Sequence, residues 1–213
     1  CNTGYTGTLS GITSLSGTCS ICIAGTYKAV SGTTSCDSCP TGKFKDVEGG
    51  SECVACDSNS ESPAGSDAGD DCLADAGFTG SGGSVAACSV HTFKATSASA
   101  VACSACPSNS GTGGATGSDE LTDCLADAGF TGAGGTVSAC TVGTYKTASA
   151  SPAACTLCAV SKFKAASAQT SDTCQACPPN SGSAEGSDEL TDCLADAGFT
   201  GAGGAVSACT VGT

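Results

Sequence analysis

The chain lacks several of the residues that ordinary domains use to build a core. Tryptophan and methionine are absent, and only three tyrosines and six phenylalanines occur in 213 residues. Large apolar side chains dominate the interiors of globular proteins, so this sequence cannot bury one sizeable core. It also has no run near the roughly 20 apolar residues that span a bilayer, so we expect no membrane insertion.

Positive charge is scarce as well. Seven lysines and no arginine stand against 20 acidic residues, which gives a net charge of −13. Such a surface repels nucleic acid and anionic membranes, and we therefore expect neither as a partner. Glycine is abundant instead, with 31 residues, and this composition is typical of loops and turns.

Cysteine takes the place of the missing core residues, with 19 occurrences. A chain this rich in cysteine indicates a disulfide framework and an oxidising, extracellular location. The pairs Cys19–Cys22, Cys36–Cys39 and Cys53–Cys56 also have the spacing of zinc ribbons, which makes zinc the alternative. The many isolated cysteines and the single histidine favour disulfides.

One motif repeats along the chain and defines its organisation. The sequence Cys-Leu-Ala-Asp-Ala-Gly-Phe-Thr-Gly begins at Cys72, Cys124 and Cys193, and each copy runs through a Gly-Gly step to an isolated cysteine. The chain opens and stops within such motifs, so we interpret it as a segment of a longer protein. We predict a three-loop module with an extra bridged linker at 1–71, a two-loop module at 72–123, a three-loop module at 124–192 and the start of a further module at 193–213.

The repeat also indicates how the cysteines pair. Where the opening motif has Cys1 and Cys19, the later copies have alanine and valine, so both members of one pair are lost together. This joint loss predicts a Cys1–Cys19 bridge. The other cysteines pair most simply across one long gap, and interleaved pairing within modules is the alternative that the sequence leaves open. Sequential pairing predicts Cys22–Cys36, Cys39–Cys53, Cys56–Cys72, Cys88–Cys103, Cys106–Cys124, Cys140–Cys155, Cys158–Cys174 and Cys177–Cys193, with a partner for Cys209 beyond Thr213.

Most of the predicted loops carry an aromatic ring next to a lysine. The alternation in Gly-Thr-Tyr27-Lys28 predicts a short strand with its ring inward and its lysine outward, and glycine-rich turns then bring the chain back as a small β-hairpin. We expect a thin rod in which loops contact only their nearest neighbours. Helix is expected only as one turn near Ser118–Leu121 and near Ser187–Leu190. Covalent closure, worth about 3 kcal/mol for a loop of this size, then replaces the core.

A family resemblance appears between residues 22 and 56. This stretch reads Cys-x-x-Gly-Thr-Tyr-Lys, then Cys-x-x-Cys-Pro-x-Gly-Lys-Phe, then Cys-x-x-Cys. It resembles the ephrin-receptor-like cysteine-rich repeat, and residues 2–7 are similar to the linker that accompanies such repeats in long surface proteins of protists and algae. The resemblance implies a small disulfide-rich fold, a linear array of short β-hairpin, EGF-like modules in a secreted or surface protein. EGF-like repeats also build the shafts of tubular flagellar hairs in some algae, which implies a filament.

The residues that carry chemistry do not assemble into an active site. His91 replaces the glycine of a Gly-Thr-Tyr-Lys motif, and without a second histidine we interpret it as an exposed substitution. No nucleophile, base and orienting group can be assembled from the sequence. We therefore expect no enzyme, no catalytic residue and no cofactor.

Two further alternatives concern ions and sugars. Acidic residues before the repeat cysteines make a weak calcium site the alternative to a solvated acidic turn. The candidates are Asp119, Glu120, Asp123, Asp188, Glu189 and Asp192. No Asn-x-Ser/Thr sequon is present, but the Ser/Thr/Ala/Pro stretches at 95–100 and 147–152 suit O-linked glycans as well as plain polar turns.

These features favour a structural role over a binding one. The leading hypothesis is a repeat segment of an extracellular filament, hair or wall fibre, whose partners are copies of itself or related repeat chains. In this hypothesis the lysines beside the rings meet the acidic junctions of a neighbouring chain. The alternative is the stalk of an adhesin or receptor.

Overall fold

Short antiparallel strand pairs make up nearly all of the regular structure. The computed structural model describes residues 1–9 and 17–210. These residues form twelve separate two-stranded sheets, each made of consecutive strands. The pairs are β1 (Tyr5–Leu9) with β2 (Gly17–Ile21), β3 (Thr26–Tyr27) with β4 (Asp37–Ser38), β5 (Lys43–Phe44) with β6 (Val54–Ala55), β7 (Ser60–Glu61) with β8 (Leu73–Ala74), β9 (Phe78–Thr79) with β10 (Ala86–Ala87), β11 (Thr92–Phe93) with β12 (Ser104–Ala105), β13 (Ser110–Gly111) with β14 (Leu125–Ala126), β15 (Phe130–Thr131) with β16 (Ser138–Ala139), β17 (Thr144–Tyr145) with β18 (Thr156–Leu157), β19 (Lys162–Phe163) with β20 (Gln175–Ala176), β21 (Ser181–Gly182) with β22 (Leu194–Ala195) and β23 (Phe199–Thr200) with β24 (Ser207–Ala208).

Helical structure in the described residues is confined to three 3-10 turns, at Gly69–Asp71, Leu121–Asp123 and Leu190–Asp192. The two predicted turns therefore exist but begin later than expected. In the turn that ends at Asp192, its carboxylate accepts hydrogen bonds from the backbone N–H groups of Asp188 and Glu189. The turn is closed by this final aspartate, whereas the sequence predicted an initial serine or aspartate cap.

Nine disulfides close the loops, and each joins cysteines 14 to 18 residues apart in sequence. The two cysteines of each C-x-x-C motif belong to different bridges, and the two residues between them form a return strand, as Asp37–Ser38 does between Cys36 and Cys39. The motif is therefore the junction of two loops. The bridges are Cys1–Cys19, Cys22–Cys36, Cys39–Cys53, Cys56–Cys72, Cys88–Cys103, Cys106–Cys124, Cys140–Cys155, Cys158–Cys174 and Cys177–Cys193, which is the sequential scheme.

The residue before the first strand of every hairpin has a left-handed backbone, with φ between 59° and 91°. Glycine adopts this conformation without a steric penalty, whereas other residues are disfavoured there. Its carbonyl often accepts the N–H of the cysteine that starts the next loop, as Gly25 O does from Cys39 at 2.8 Å. The twelve residues are Gly4, Gly25, Gly42, Asn59, Gly77, His91, Asn109, Gly129, Gly143, Ser161, Asn180 and Gly198.

Backbone hydrogen bonds join each loop to those that follow it. The N–H of Gly25 donates to the carbonyl of Lys45 in the next loop at 2.9 Å, and the N–H of Lys45 donates to Ser66 in the loop after that at 3.1 Å. A methyl group built on Gly25 would lie 2.3 Å from the carbonyl oxygen of Gly65, two loops away. The expectation of nearest-neighbour contacts alone is therefore wrong, because glycine lets the backbones of alternate loops meet.

Backbone contacts divide the chain into two compact units. In each unit the covered side chains are mostly half-cystines, lysines and one alanine, Ala74 in the first and Ala126 in the second, and Phe163 is the large apolar side chain buried in the second unit. The predicted fold class, a small disulfide-rich series of hairpins with little helix, is confirmed, and the module boundaries stay a prediction. The first unit comprises Cys1–Ser89, Phe93–Ser104 and Thr116–Glu120, and the second comprises Val90–Thr92, Ala105–Ala115 and Leu121–Thr213.

Alanine at Gly143 tests the close packing of alternate loops. Gly143 has a φ of +73°, and a methyl group there would lie 2.1 Å from the carbonyl oxygen of Gly186. We expect Gly143→Ala to lower the free energy of unfolding by about 1–2 kcal/mol from the backbone conformation and about 1–3 kcal/mol more from the clash. Denaturant unfolding with the disulfides intact measures both.

Gly198→Ala is the matched control. Gly198 has a φ of +91°, and no heavy atom of another described segment lies within 4 Å of a methyl group built on it. This variant should therefore show only the backbone cost. Equal losses in the two variants would contradict the packing of alternate loops.

Candidate functional site

The lysines beside the rings lie inside the loops. Five of them are 1–4% exposed, whereas Lys43 is exposed and Lys162 is half-exposed. The prediction of inward rings and outward lysines is therefore wrong for these five, and the rings beside them are half-buried except for the buried Phe163. In four of the five loops the ring stays half-buried, whereas the flexible lysine stem is covered and its ammonium reaches backbone carbonyls. The buried lysines are Lys28, Lys45, Lys94, Lys146 and Lys164.

Lys94 shows the geometry of this lysine clamp, by which we mean a buried ammonium held by carbonyl oxygens. Its Nζ donates to the carbonyl of Ala74 at 2.9 Å in the preceding linker, and to that of Ser99 at 2.6 Å in its own loop. Lys146 repeats the arrangement with Ala126 and Ser151. Each clamp therefore ties a loop to the segment before it, and the ammonium satisfies buried carbonyls that would otherwise be unpaired.

The remaining clamps vary in their acceptors. Lys28 Nζ donates to the carbonyls of Tyr5 and Gly32, and Lys45 Nζ donates to the carbonyl of Val47. Lys164 Nζ donates to the carbonyl of Ser171 at 2.9 Å and lies 5.2 Å from the centroid of the Tyr145 ring. This last contact is a cation–π interaction between neighbouring loops, which adds to the hydrogen bond.

The clamp is also present in linkers that lack a bridge. Cys1 of the bridged linker corresponds to Ala74 in an unbridged one, and Ala74 is fully buried. In both linkers this residue's carbonyl accepts a backbone N–H from the following loop, at 2.8 Å from Gly32 and at 3.1 Å from Ser99. In the unbridged linker the same carbonyl also accepts the Lys94 ammonium. The Lys94 ammonium therefore holds the backbone at the position where the first linker has its disulfide.

Burial changes the acidity of three clamps. Loss of hydration lowers the pKa of Lys94, Lys146 and Lys164, and the carboxylates of Asp75, Asp127 and Asp172, respectively, oppose the shift. Desolvation outweighs these charges, because the ammonium groups are held by neutral carbonyls. These three lysines are therefore structural cations whose charge is disfavoured by their surroundings.

The calcium candidates take part in turns. The carboxylate of Asp192 is bonded to the backbone at the start of its 3-10 turn, and Glu189 accepts a hydrogen bond from the Thr191 hydroxyl at 3.0 Å. Asp71 holds the corresponding turn of the first copy through the N–H groups of Asp67 and Ala68. Asp119, Glu120 and Asp123 also have interaction partners. Within residues 1–9 and 17–210, no group of three or more His, Cys, Asp or Glu side chains is arranged to hold a metal.

An open cleft of about 730 Å³ lies beside the last of these turns. Glu185, Asp188, Asp192 and Asp196 line it together with Ser161, so its surface is acidic. The lining contains no histidine or lysine that would act as a base for the serine hydroxyl.

His91 has a structural explanation. It is exposed, it adopts the left-handed φ of +62° that glycine has in equivalent positions, and its N–H donates to the Thr112 hydroxyl at 3.0 Å. A methyl group built on Gly111 would lie 2.2 Å from His91 Nδ1, so the imidazole covers that glycine. Cys209 is an exposed thiol, and its predicted partner stays a prediction.

Comparison with known proteins identifies one segment. Residues 7–56 match the family described as tyrosine-protein kinase ephrin type A/B receptor-like, and the family model represents a non-catalytic cysteine-rich module. A search of curated proteins finds no match. No helix among the described residues has the length and hydrophobicity to cross a membrane.

Removal of one clamp tests its contribution to stability. Lys94→Met keeps a similar stem but leaves the carbonyls of Ala74 and Ser99 without the ammonium. We expect the free energy of unfolding to fall by about 2–4 kcal/mol, because each charge-assisted hydrogen bond contributes about 1.5–3 kcal/mol and loss of the buried charge offsets part of the total. The exposed Lys43→Met is the control and should change it by less than about 0.5 kcal/mol. Equal effects would contradict the clamp.

The pKa shifts of three clamp lysines predict how the free energy of unfolding changes with pH. A lysine in the unfolded chain has a pKa of about 10.4, whereas Lys94, Lys146 and Lys164 release their protons at lower pH in the folded chain. Between the two pKa values the unfolded chain binds more protons, so the free energy of unfolding rises with pH through this window and is lower by the full linkage increment below the folded pKa. NMR titration of the lysine ε-CH₂ signals in Cys209→Ser measures the shifts. Values above 10.4 for these three would contradict the desolvation argument.

Proposed function

We propose, starting from an ephrin-receptor-like cysteine-rich repeat at residues 7–56, that the chain is a structural segment of an extracellular filament. The repeat and the disulfides indicate an extracellular or surface location. The observation that carries the proposal is the continuous linkage of covalently closed loops within each unit. Each loop is hydrogen-bonded through its backbone to the next loop, and glycines such as Gly25 and Gly143 let it approach the backbone of the loop after that closely.

The linkage supports a mechanical role. To extend a loop, a pulling force would have to break the backbone bonds between loops and the lysine clamp inside it, and the disulfide would still limit the extension. Under force such a segment extends in small steps. Each opened loop can refold, because the disulfide keeps its two ends joined. This property suits a fibre or a stalk better than it suits a catalyst, and we propose no enzymatic activity.

Contacts between copies in this proposal do not rest mainly on the lysine–carboxylate pairs that the sequence suggested. With five lysines buried, Lys43 and Lys162 are the lysines left to meet the acidic turns of a neighbouring chain. The net charge of −13 makes copies repel one another. Lateral association in our proposal therefore depends on screening by salt, with exposed aliphatic side chains such as Val160 and Leu194 at the contacts.

The stalk of an adhesin or receptor is the second candidate. The observation that favours it is the match of residues 7–56 to a receptor-like module. A stalk uses the same linked loops but has no need for lateral contacts. Self-association of the chain therefore distinguishes the two functions.

O-linked glycans form part of the proposal, and the hydrogen bonds of the Ser/Thr-rich stretches support a choice of residues. In the two Ser/Thr-rich stretches, the hydroxyls of Ser97 and Ser149 accept hydrogen bonds from backbone N–H groups. Thr96 and Thr147 are exposed, and their hydroxyls form no hydrogen bond within the described part of the chain. We propose these two threonines as the modified residues, because a sugar there disturbs no contact.

Sedimentation velocity and negative-stain microscopy of the 213-residue chain test the filament. We expect mostly monomers at about 10 mM ionic strength, where the Debye length is about 30 Å, and association at about 1 M, where it is about 3 Å. Cys209→Ser should associate equally, which excludes disulfide cross-linking as the cause. A monomer at every salt concentration would contradict the filament and support the stalk.

A further inference from the structure

The three copies of the 3-10 turn differ at their first two positions, and the difference at the first position removes a contact. Leu121 and Leu190 begin the second and third turns, and each packs on a Gly-Gly step in the linker that follows. A methyl group built on Gly134 would lie 3.5 Å from Leu121 Cγ, and one built on Gly203 would lie 3.7 Å from Leu190 Cγ. In the first copy the same position is Gly69, which has no side chain to make this contact.

The missing leucine leaves a cavity in the first unit. This leucine slot has a volume of about 190 Å³ and is lined by Phe44, Val54, Asp57, Gly69 and the Gly-Gly step at 82–83. A methyl group built on Gly69 would lie 3.4 Å from Cζ of the Phe44 ring, which is ordinary van der Waals contact. The slot therefore lies beside the Gly-Gly step at the position where the other two copies place a partly exposed leucine side chain, 38% exposed at Leu121 and 40% at Leu190.

Two other lining residues also distinguish the first copy. Val54 stands where the other copies have Ser104 and Gln175, so the wall of the slot is more apolar. Asp57 stands where they have Pro107 and Pro178, and its Oδ2 would lie 3.2 Å from a methyl group built on Gly83. The Asp57 carboxylate has no hydrogen-bond or ion-pair partner among the described residues. Together the three differences replace a leucine contact with an open slot that has apolar walls at Phe44 and Val54 and a carboxylate at its edge.

We propose that the leucine slot binds a leucine-sized aliphatic side chain of a partner polypeptide that carries a positive charge next to it. Shape selects the aliphatic group, because the chain itself fills the equivalent position with leucine twice. The charge of Asp57 favours a positive group beside the aliphatic one, because this carboxylate is unpaired at the edge of the slot. An apolar cavity of about 150 Å³ is large enough to bind a small apolar molecule, so the volume is sufficient. This binding site goes beyond the filament proposal and does not depend on it.

Chemical-shift mapping with short peptides tests the site. The probes are N-acetyl-Lys-Leu-amide, N-acetyl-Glu-Leu-amide and N-acetyl-Lys-Gly-amide, added to the ¹⁵N-labelled chain. We expect the Lys-Leu probe to shift the amides of Phe44, Val54, Gly69 and Gly83, and to bind more tightly than the other two. Equal binding of Lys-Gly would overturn the aliphatic requirement, equal binding of Glu-Leu would overturn the charge requirement, and shifts located elsewhere would overturn the site.

Two variants separate shape from charge. Gly69→Leu fills the slot as the other copies do, and it should weaken Lys-Leu binding at least tenfold while raising the midpoint of thermal unfolding. Asp57→Asn should weaken Lys-Leu binding by up to about fivefold, the value of an exposed ion pair, and leave Glu-Leu unchanged or improved. Should Gly69→Leu fail to fold, Gly69→Ala is a smaller plug that gives the same direction. Undiminished binding in the plugged chain would overturn the proposal.

Leu121→Gly is the matched control within the same chain. It removes the leucine from the second copy, where Pro107 replaces the carboxylate. We expect it to gain binding of the Lys-Leu and Glu-Leu probes to a similar extent, since shape is present and charge is not. A preference for Lys-Leu at this opened slot would contradict the role of Asp57.

Discussion

The closure of short loops by disulfides is the constraint on which the rest of this structure depends. Each bridge joins cysteines 14 to 18 residues apart, and each C-x-x-C motif connects one closed loop to the next. Closure removes conformational freedom from the unfolded chain, so little burial is then needed to hold each loop in one conformation. Strands of two residues suffice for this reason, although an isolated hairpin of that length would not be stable in water.

Within this covalent frame the interior is polar. The loops enclose lysine stems and half-cystines, and the ammonium groups take the carbonyls that such small hairpins leave unpaired. A buried lysine bonded only to carbonyls is unusual, because loss of hydration disfavours its charge. It is tolerated here since one flexible side chain reaches acceptors in two segments. The Lys28, Lys94 and Lys146 clamps thereby join their loops to the segment before them, including two linkers that have no bridge.

The repeats share the disulfide-closed loops and differ in their linkers and in their 3-10 turns. One linker has the Cys1–Cys19 bridge, whereas the linkers that begin at Cys72 and Cys124 have a buried alanine and a lysine clamp. One 3-10 turn begins with a glycine where two begin with leucine, and an open slot results. Because each loop is closed on itself, such changes remain local. A repetitive extracellular segment can therefore carry a binding feature in one copy and a purely structural version in the others.

The sequence alone was sufficient to predict the chain of disulfide-closed hairpins and to favour one pairing of the cysteines. Joint loss of Cys1 and Cys19 counterparts, with regular gaps between the other cysteines, was enough to propose sequential pairing, because disulfide partners constrain each other's presence. Which side chain lies inside depends on the packing in three dimensions. Strand alternation placed Tyr27 inward and Lys28 outward, but in this small closed loop the lysine stem is covered and the ring is left half-buried. The leucine slot likewise needed three dimensions, since Phe44, Asp57 and Gly69 are separated in sequence and meet through packing of successive loops.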